Sequence, residues 1–142
     1  MRSFQYIFLM TVLFALGGYW AYTLADGLLN RGEYVRHLQS QVFPDSVTSL
    51  LTWLLPALNL LMLIFLLHAP WQRAGIFVST VLFSLTAMYA ALVIADYFPQ
   101  APCNCIGTVR NLSWEGHFIL NLAGAALSLC GLFLNGRERR KV

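Results

Sequence analysis

Four long apolar stretches, separated by shorter polar segments, dominate the pattern of this chain. They cover residues 4–24, 47–67, 75–95 and 118–134, and none of them contains Lys, Arg, Asp or Glu. A helix needs about 20 mainly apolar residues to cross the hydrocarbon core of a bilayer. The pattern therefore predicts four membrane-spanning helices, the last of them the shortest.

The composition agrees with a chain surrounded by lipid. Hydrophobic residues make up 58% of the 142 residues and charged residues 11%, whereas ordinary soluble domains carry about 25% charged residues. The net charge of +3 is too small to indicate nucleic acid as a partner. We expect an all-α fold in which residues 1–142 form a single antiparallel four-helix bundle.

The basic residues are distributed unevenly between the two sides of this bundle. One side, with both termini and the turn at 68–74, carries Arg2, Arg73, Arg137, Arg139, Arg140 and Lys141. The other side carries Arg31, Arg36 and Arg110. Because cytoplasmic segments are enriched in Lys and Arg, both termini are predicted to be cytoplasmic. The expected location is the bacterial inner membrane, with the segments 26–46 and 96–117 outside the cytoplasm.

The first outer segment contains a short helical pattern. Tyr34, Leu38 and Val42 recur every four residues with polar residues between them. This spacing predicts an amphipathic helix lying on the membrane surface, where it either covers the outer end of the bundle or only tethers two spans.

Small residues recur at helical spacing on the last two spans, as is common where helices pack closely in lipid. These residues are Ala87, Ala91 and Ala95 on the third span and Gly124, Ser128 and Gly131 on the fourth.

The second outer segment, 96–117, contains the stretch "APCNCIGTVRNLSWEGH", with Cys103 and Cys105 one residue apart. Three interpretations compete: a redox pair, a metal site and a structural disulfide. A disulfide across one residue removes little chain entropy and is strained, and strained disulfides are the easily reduced ones. Redox exchange is therefore favoured over a structural role.

A metal site would need more ligands than this segment supplies. Structural zinc takes four ligands, and only His117 stands near the two thiols in sequence. Copper(I) accepts thiolates, so a copper-handling protein stays an alternative, although no tightly bound metal is expected.

Polar and aromatic residues at the start of the fourth span are candidates for further chemistry. His117 stands there, Asn121 follows one helical turn later, and Trp114 precedes both. A histidine at this place either caps the helix, moves a proton for the thiols or binds a quinone carbonyl. Asn59 is the strongly polar residue within the second span.

The third cysteine, Cys130, is too far along the fourth span to join the pair. It lies 13 residues beyond His117, or about 20 Å along a helix, and a small packing residue is expected there. With no second dithiol on the inner side, electrons from Cys103 and Cys105 would have to pass to a lipid-soluble acceptor or a partner protein.

The motif "PCNCIG", followed by "LSW" and a histidine at the start of the last helix, resembles the MauE branch of the DoxX-like membrane proteins. The earlier stretch "GEYVRHLQSQVFPDS…LLPALNLLMLIFLL" is similar to the first loop and second helix of that family. The resemblance covers most of the chain, but only the cysteine segment is specific. Relatives often carry an acid after the proline of the second helix, where this chain has Asn59.

The resemblance implies a four-helix membrane protein that works with thioredoxin-like partners in disulfide or electron transfer outside the cytoplasm. It makes Cys103 and Cys105 the redox pair, with His117 as a further catalytic residue. Quinone is the candidate cofactor, with His117, Asn121 and Trp114 as its binding residues. The leading hypothesis is a thiol–disulfide oxidoreductase. The alternatives are an assembly subunit of a larger membrane complex and a copper-handling protein.

Overall fold

The computed structural model describes residues 2–99 and 112–139, and the side chains of 4–99 and 112–135. Within these ranges the chain is helical, without strands. The helices are α1 (Arg2–Leu29), α2 (Arg31–Gln39), α3 (Asp45–Leu67), α4 (Gln72–Ile94) and α5 (Trp114–Arg139), with a 3₁₀ turn at Ala69–Trp71 between α3 and α4.

Four of these helices, α1, α3, α4 and α5, are long and apolar enough to cross a membrane. The predicted all-helical fold with four spans is therefore confirmed, while the direction of insertion stays a prediction. The helix α5 begins at Trp114 because the Ser113 side chain accepts a hydrogen bond from the Gly116 backbone N–H at 3.1 Å. The irregular segment predicted at 96–117 is shorter than expected, since its last four residues are helical.

The core is thin, as expected for helices whose other faces meet lipid rather than water. The buried apolar cluster consists of Leu9, Val12, Leu13, Leu16, Trp20, Met62, Leu66, Ile76, Phe83 and Ala125. Large apolar side chains such as Phe14 (85% exposed) and Phe133 (73% exposed) point away from it. Apolar exposure is favourable where the surroundings are acyl chains, so these side chains indicate the lipid-facing surface.

The helices α4 and α5 form the most extensive contact of the bundle. A Cβ atom added at Gly124 would lie 2.7 Å from the Phe83 ring, so the glycine permits this close approach. The predicted stripe on α4 is only partly buried. Ala87 is buried, but Ala95 is exposed because α4 ends at Ile94. The other buried alanine of α4 is Ala90, which lies on the side of the helix that faces the core.

The predicted amphipathic helix is α2, which lies across one end of the bundle, here named the α2 end. Leu38 is buried, and the Tyr34 ring packs against α1 at Gly27, where an added Cβ would be 3.8 Å from the ring. The Arg31 guanidinium lies 3.8 Å from the ring centre of Trp53 on α3. Val42 is exposed, since the helix ends at Gln39 and the predicted spacing does not continue to this residue.

Candidate functional site

A cavity of about 250 Å³ lies inside the bundle at the α2 end. Its walls come from all five helices, and most of its lining is apolar. Six aromatic side chains line it: Tyr19, Trp20, Tyr34, Phe83, Tyr89 and Trp114. A mainly apolar cavity with a few polar groups is the usual form of a small-molecule site.

His117 lines this cavity and carries a buried ring nitrogen that is unsatisfied. The residue is 4% exposed, and its Nε2 atom is buried without a hydrogen-bond partner among the described residues. Leaving such a group unpaired costs about 1–3 kcal/mol. Because His117 also lines the cavity, a bound molecule with a complementary polar atom is the natural partner for Nε2.

Asn121 holds the first turns of α5 against α4. Its Nδ2 group donates to the His117 carbonyl at 2.8 Å, and its Oδ1 accepts from the Thr86 hydroxyl at 2.9 Å. These two partners fix the orientation of the amide and leave it one N–H and one lone pair. Asn121 therefore positions His117 and keeps limited capacity for a ligand.

The floor of the cavity is a packed aromatic cluster. Phe83 lies 4.9 Å from Tyr19 and 5.4 Å from Trp20, measured between ring centres. The Trp20 indole N–H donates to the Ser79 hydroxyl at 3.0 Å, deep between α1 and α4. With the indole N–H satisfied by Ser79 behind it, Trp20 forms this end of the cavity together with Phe83.

Both flanks of the cysteine segment reach the same wall of the cavity. Tyr89 contacts Phe98, which precedes the two cysteines in the chain, at 5.7 Å, and Trp114, which follows them, at 6.0 Å between ring centres. Trp114 also lies 6.2 Å from the His117 ring. Cys103 and Cys105 themselves lie outside the described residues.

The chain matches the family described as methylamine utilisation protein MauE over residues 5–134. The protein belongs to the MauE family. The match covers most of all four spanning helices and the whole cysteine segment, while the DoxX-like part of the predicted resemblance stays a prediction. Searches among curated proteins and among solved structures found no match.

Three of the five residues predicted for the site come together in this MauE-family protein. His117, Asn121 and Trp114 all line the cavity, together with Asn59, the polar residue noted in the second span. Their predicted roles in catalysis and in cofactor binding remain predictions. Cys130 is exposed on α5, so the expectation of a packed position for it was wrong.

Sequence reasoning missed the polar residues that the first half of the chain contributes. Asp26 at the end of α1, and Glu33 and His37 on α2, line the cavity next to Tyr34. Burial raises the pKa of Tyr34 to about 12. The four-residue spacing of Glu33 and His37 places them on one face of α2, but only the docking of this helix shows that the face meets the cavity.

Metal ligation receives no support from the part of the chain that the structure describes. No group of three or more His, Cys, Asp or Glu residues with a suitable arrangement occurs among residues 4–99 and 112–135. The absence of a tightly bound metal stays a prediction for the MauE-family chain, since both loop cysteines fall outside these ranges.

Proposed function

We propose that this MauE-family protein is a membrane thiol–disulfide oxidoreductase. It transfers electrons between a thioredoxin-like protein outside the cytoplasm and a quinone dissolved in the bilayer, through Cys103 and Cys105. One observation carries the proposal. The two flanks of the cysteine segment contact the aromatic wall of a cavity in which His117 presents a buried nitrogen without a partner.

The thiol step is an exchange with a partner disulfide or dithiol. A thiolate of the partner attacks one sulfur of the Cys103–Cys105 disulfide and forms a mixed disulfide. The second partner thiolate then resolves it, which leaves the partner oxidised and both loop cysteines reduced. The reverse direction uses the same steps backwards.

The electrons then leave through the quinone. Two electrons and two protons pass from the Cys103 and Cys105 thiols to the quinone, which re-forms their disulfide and yields a quinol. A disulfide closed across one residue is strained, and strained disulfides have higher reduction potentials. Such a pair is suited to exchanging electrons rather than to stabilising the fold.

The cavity fits the ring of a quinone. Its volume of about 250 Å³ is at the small end for ligand sites, which matches one flat ring better than a whole lipid. Aromatic rings stack on such a flat ring, and His117 Nε2 as an N–H donor would bind one of its carbonyl oxygens. Trp114 and Asn121 line the same space.

The proposal is tested with the purified full-length protein in liposomes. Reduced thioredoxin supplies electrons, and a soluble quinone analogue accepts them while its absorbance is followed. Cys103→Ser and Cys105→Ser are each expected to abolish quinone reduction, because neither single thiol can form the disulfide. Cys130→Ser serves as the control and should retain full activity, since Cys130 is exposed on α5.

Retained activity in both loop variants would overturn the proposal. If membrane proteins then co-purify in stoichiometric amounts with the Cys103→Ser and Cys105→Ser variants, the assembly-subunit alternative is favoured. Copper bound by the wild type under reducing conditions, and lost in both variants, would favour the copper-handling alternative.

A further inference from the structure

The cavity reaches the side of the bundle between α3 and α4. The residues Leu55, Leu58 and Asn59 of α3 and Leu82 and Thr86 of α4 all line it. Each of these side chains is at least partly exposed, and both helices are membrane-spanning. Along this seam, side chains that line the cavity are therefore not fully covered by protein.

Contacts close this seam on both sides of the cavity. Towards the 3₁₀ turn, the Ser79 hydroxyl lies 3.9 Å from the Met62 sulfur. Towards the α2 end, α4 contacts the connection that leads into α3: the Tyr89 hydroxyl donates to Gln41 Oε1 at 2.7 Å, and the Tyr89 ring stacks on Phe43 at 5.7 Å. The level of the cavity thus lies between these two sets of contacts.

Two further features fit an opening at this level. Pro56 stands within the α3 stretch and has no N–H for the Thr52 carbonyl, which weakens the helix locally. Thr86 has an exposed side chain and yet hydrogen-bonds the buried Asn121 at 2.9 Å. A residue with both properties lies where the interior meets the surface.

We propose that this seam is a port to the bilayer, through which the isoprenoid tail of a bound quinone leaves the cavity. The inference rests on the proposed function and specifies how its lipid substrate is held. A cavity of about 250 Å³ holds a ring but not a long tail. The helix α2 covers one end and Trp20 with Phe83 forms the floor, so a tail would leave through a side of the bundle. The seam between α3 and α4 is favoured because Leu55, Leu58, Asn59, Leu82 and Thr86 line the cavity there and are at least partly exposed.

The port assigns separate tasks to its residues. Leu55, Leu58 and Leu82 offer apolar surface to the tail, because buried apolar area stabilises a complex in proportion to its extent. Asn59 and Thr86 are the polar residues of the port, and they mark the place where the ring ends and the tail begins. Affinity is therefore expected to depend on the tail through α3 and α4, and on the ring through His117.

The test uses two double variants of the full-length protein in nanodiscs. Leu55→Phe with Leu82→Phe narrows the port. Leu60→Phe with Leu85→Phe is the matched control, because these two leucines lie on the same helices, are 51% and 52% exposed and do not line the cavity. Two quinone analogues with the same ring are compared, one without a tail and one with an isoprenoid tail.

The Kd of each analogue is measured from quenching of tryptophan fluorescence, since Trp20 and Trp114 line the cavity. The port variant is expected to raise the Kd of the tailed analogue about tenfold more than the Kd of the tail-less analogue, a typical effect of overpacking. The control variant should change neither. An equal effect on both analogues, or no effect on either, would overturn the port.

This readout separates the two proposals, because binding does not require turnover. If the wild type binds both analogues but reduced thioredoxin does not reduce them through the protein, the oxidoreductase proposal fails. The Kd values of the port and control variants still test the port in that case. If the wild type binds neither analogue, the quinone site and its port are both rejected, and thiol exchange with thioredoxin can still be measured alone.

Discussion

At the scale of single residues, His117 shows how a helix start creates a binding group. Ser113 caps the helix, and Asn121 holds the His117 carbonyl, so the backbone around the ring is fixed. The ring nitrogen Nε2 is buried without a hydrogen-bond partner in the described chain, and His117 lines the cavity. A fixed donor of this kind costs a ligand little reorganisation and so increases its affinity.

Tyr34 gives a prediction that depends on pH. Burial raises its pKa to about 12 from the model-peptide value of 10.0. Its phenol should therefore stay neutral in the folded protein while the unfolded chain already ionises. The contribution to stability is complete below pH 10 and is lost as the pH rises towards 12.

The measurement is the absorbance of phenolate during alkaline titration of the protein in detergent. The wild type contains six tyrosines, so the spectrum of Tyr34→Phe is subtracted to isolate one group. A difference curve with its midpoint near pH 12 is expected. A midpoint near 10 would show that the Tyr34 ring is not buried against α1.

At the scale of helices, close packing at glycine sets the distance between α4 and α5. Gly124→Ala would put a methyl group 2.7 Å from a Phe83 ring that Tyr19 and Trp20 hold in place. Overpacking of this kind costs about 1–3 kcal/mol. The change should lower the free energy of unfolding in detergent titrations and also weaken quinone binding, since Phe83 lines the cavity.

Gly18→Ala is the control for this substitution. No atom lies within 4 Å of a Cβ added at Gly18, and alanine is the better helix former by about 1 kcal/mol. This variant should be as stable as the wild type or slightly more stable. Equal losses for both variants would show that general helix effects, rather than the contact with Phe83, determine the result.

A buried hydrogen bond joins Trp20 on α1 to Ser79 on α4. Ser79→Ala removes the acceptor of the buried Trp20 indole N–H. Stability should fall by about 1 kcal/mol, the usual size for a hydrogen bond between membrane helices. Ser84→Ala is the control, because the exposed Ser84 hydroxyl only donates to the Thr80 carbonyl of its own helix. If Ser79→Ala lowers the free energy of unfolding no more than Ser84→Ala does, the hydrogen bond between Trp20 and Ser79 does not stabilise the bundle.

At the scale of the whole molecule, the direction of insertion decides which compartment the cysteines meet. The excess of Lys and Arg near the termini predicts that these lie in the cytoplasm. Cys103 and Cys105 would then face an oxidising compartment, where disulfides form and persist. This orientation is required if a soluble partner outside the cytoplasm is to reach the pair.

A membrane-impermeant thiol reagent tests the orientation in spheroplasts. In a Cys130→Ser background, Cys103 and Cys105 should be labelled after treatment with an impermeant reductant. A cysteine introduced as Val142→Cys, with the three native cysteines replaced, should react only after the membrane is permeabilised. Labelling in the opposite pattern would reverse the orientation and exclude an outer thioredoxin-like partner.

Much of the candidate site could be predicted from the chain because polar residues are rare in it. His117, Asn121 and Asn59 stand out in apolar surroundings, and intramembrane polar groups mark functional sites more often than chance. Tyr89 and Thr86 do not stand out, since aromatic and hydroxyl side chains are common in spanning helices. Their place at the cavity depends on contacts 35 to 48 residues away in sequence.

The sequence of neighbouring residues is sufficient to predict the four spans and the amphipathic helix α2, because hydrophobic length and helical period are local properties. The cavity is different, since it exists only where five helices meet. That meeting depends on packing at Gly124, on the docking of Tyr34 beside Gly27 and on the contacts that close the seam between α3 and α4. Such distances between remote residues follow from the three-dimensional packing and are absent from any local pattern.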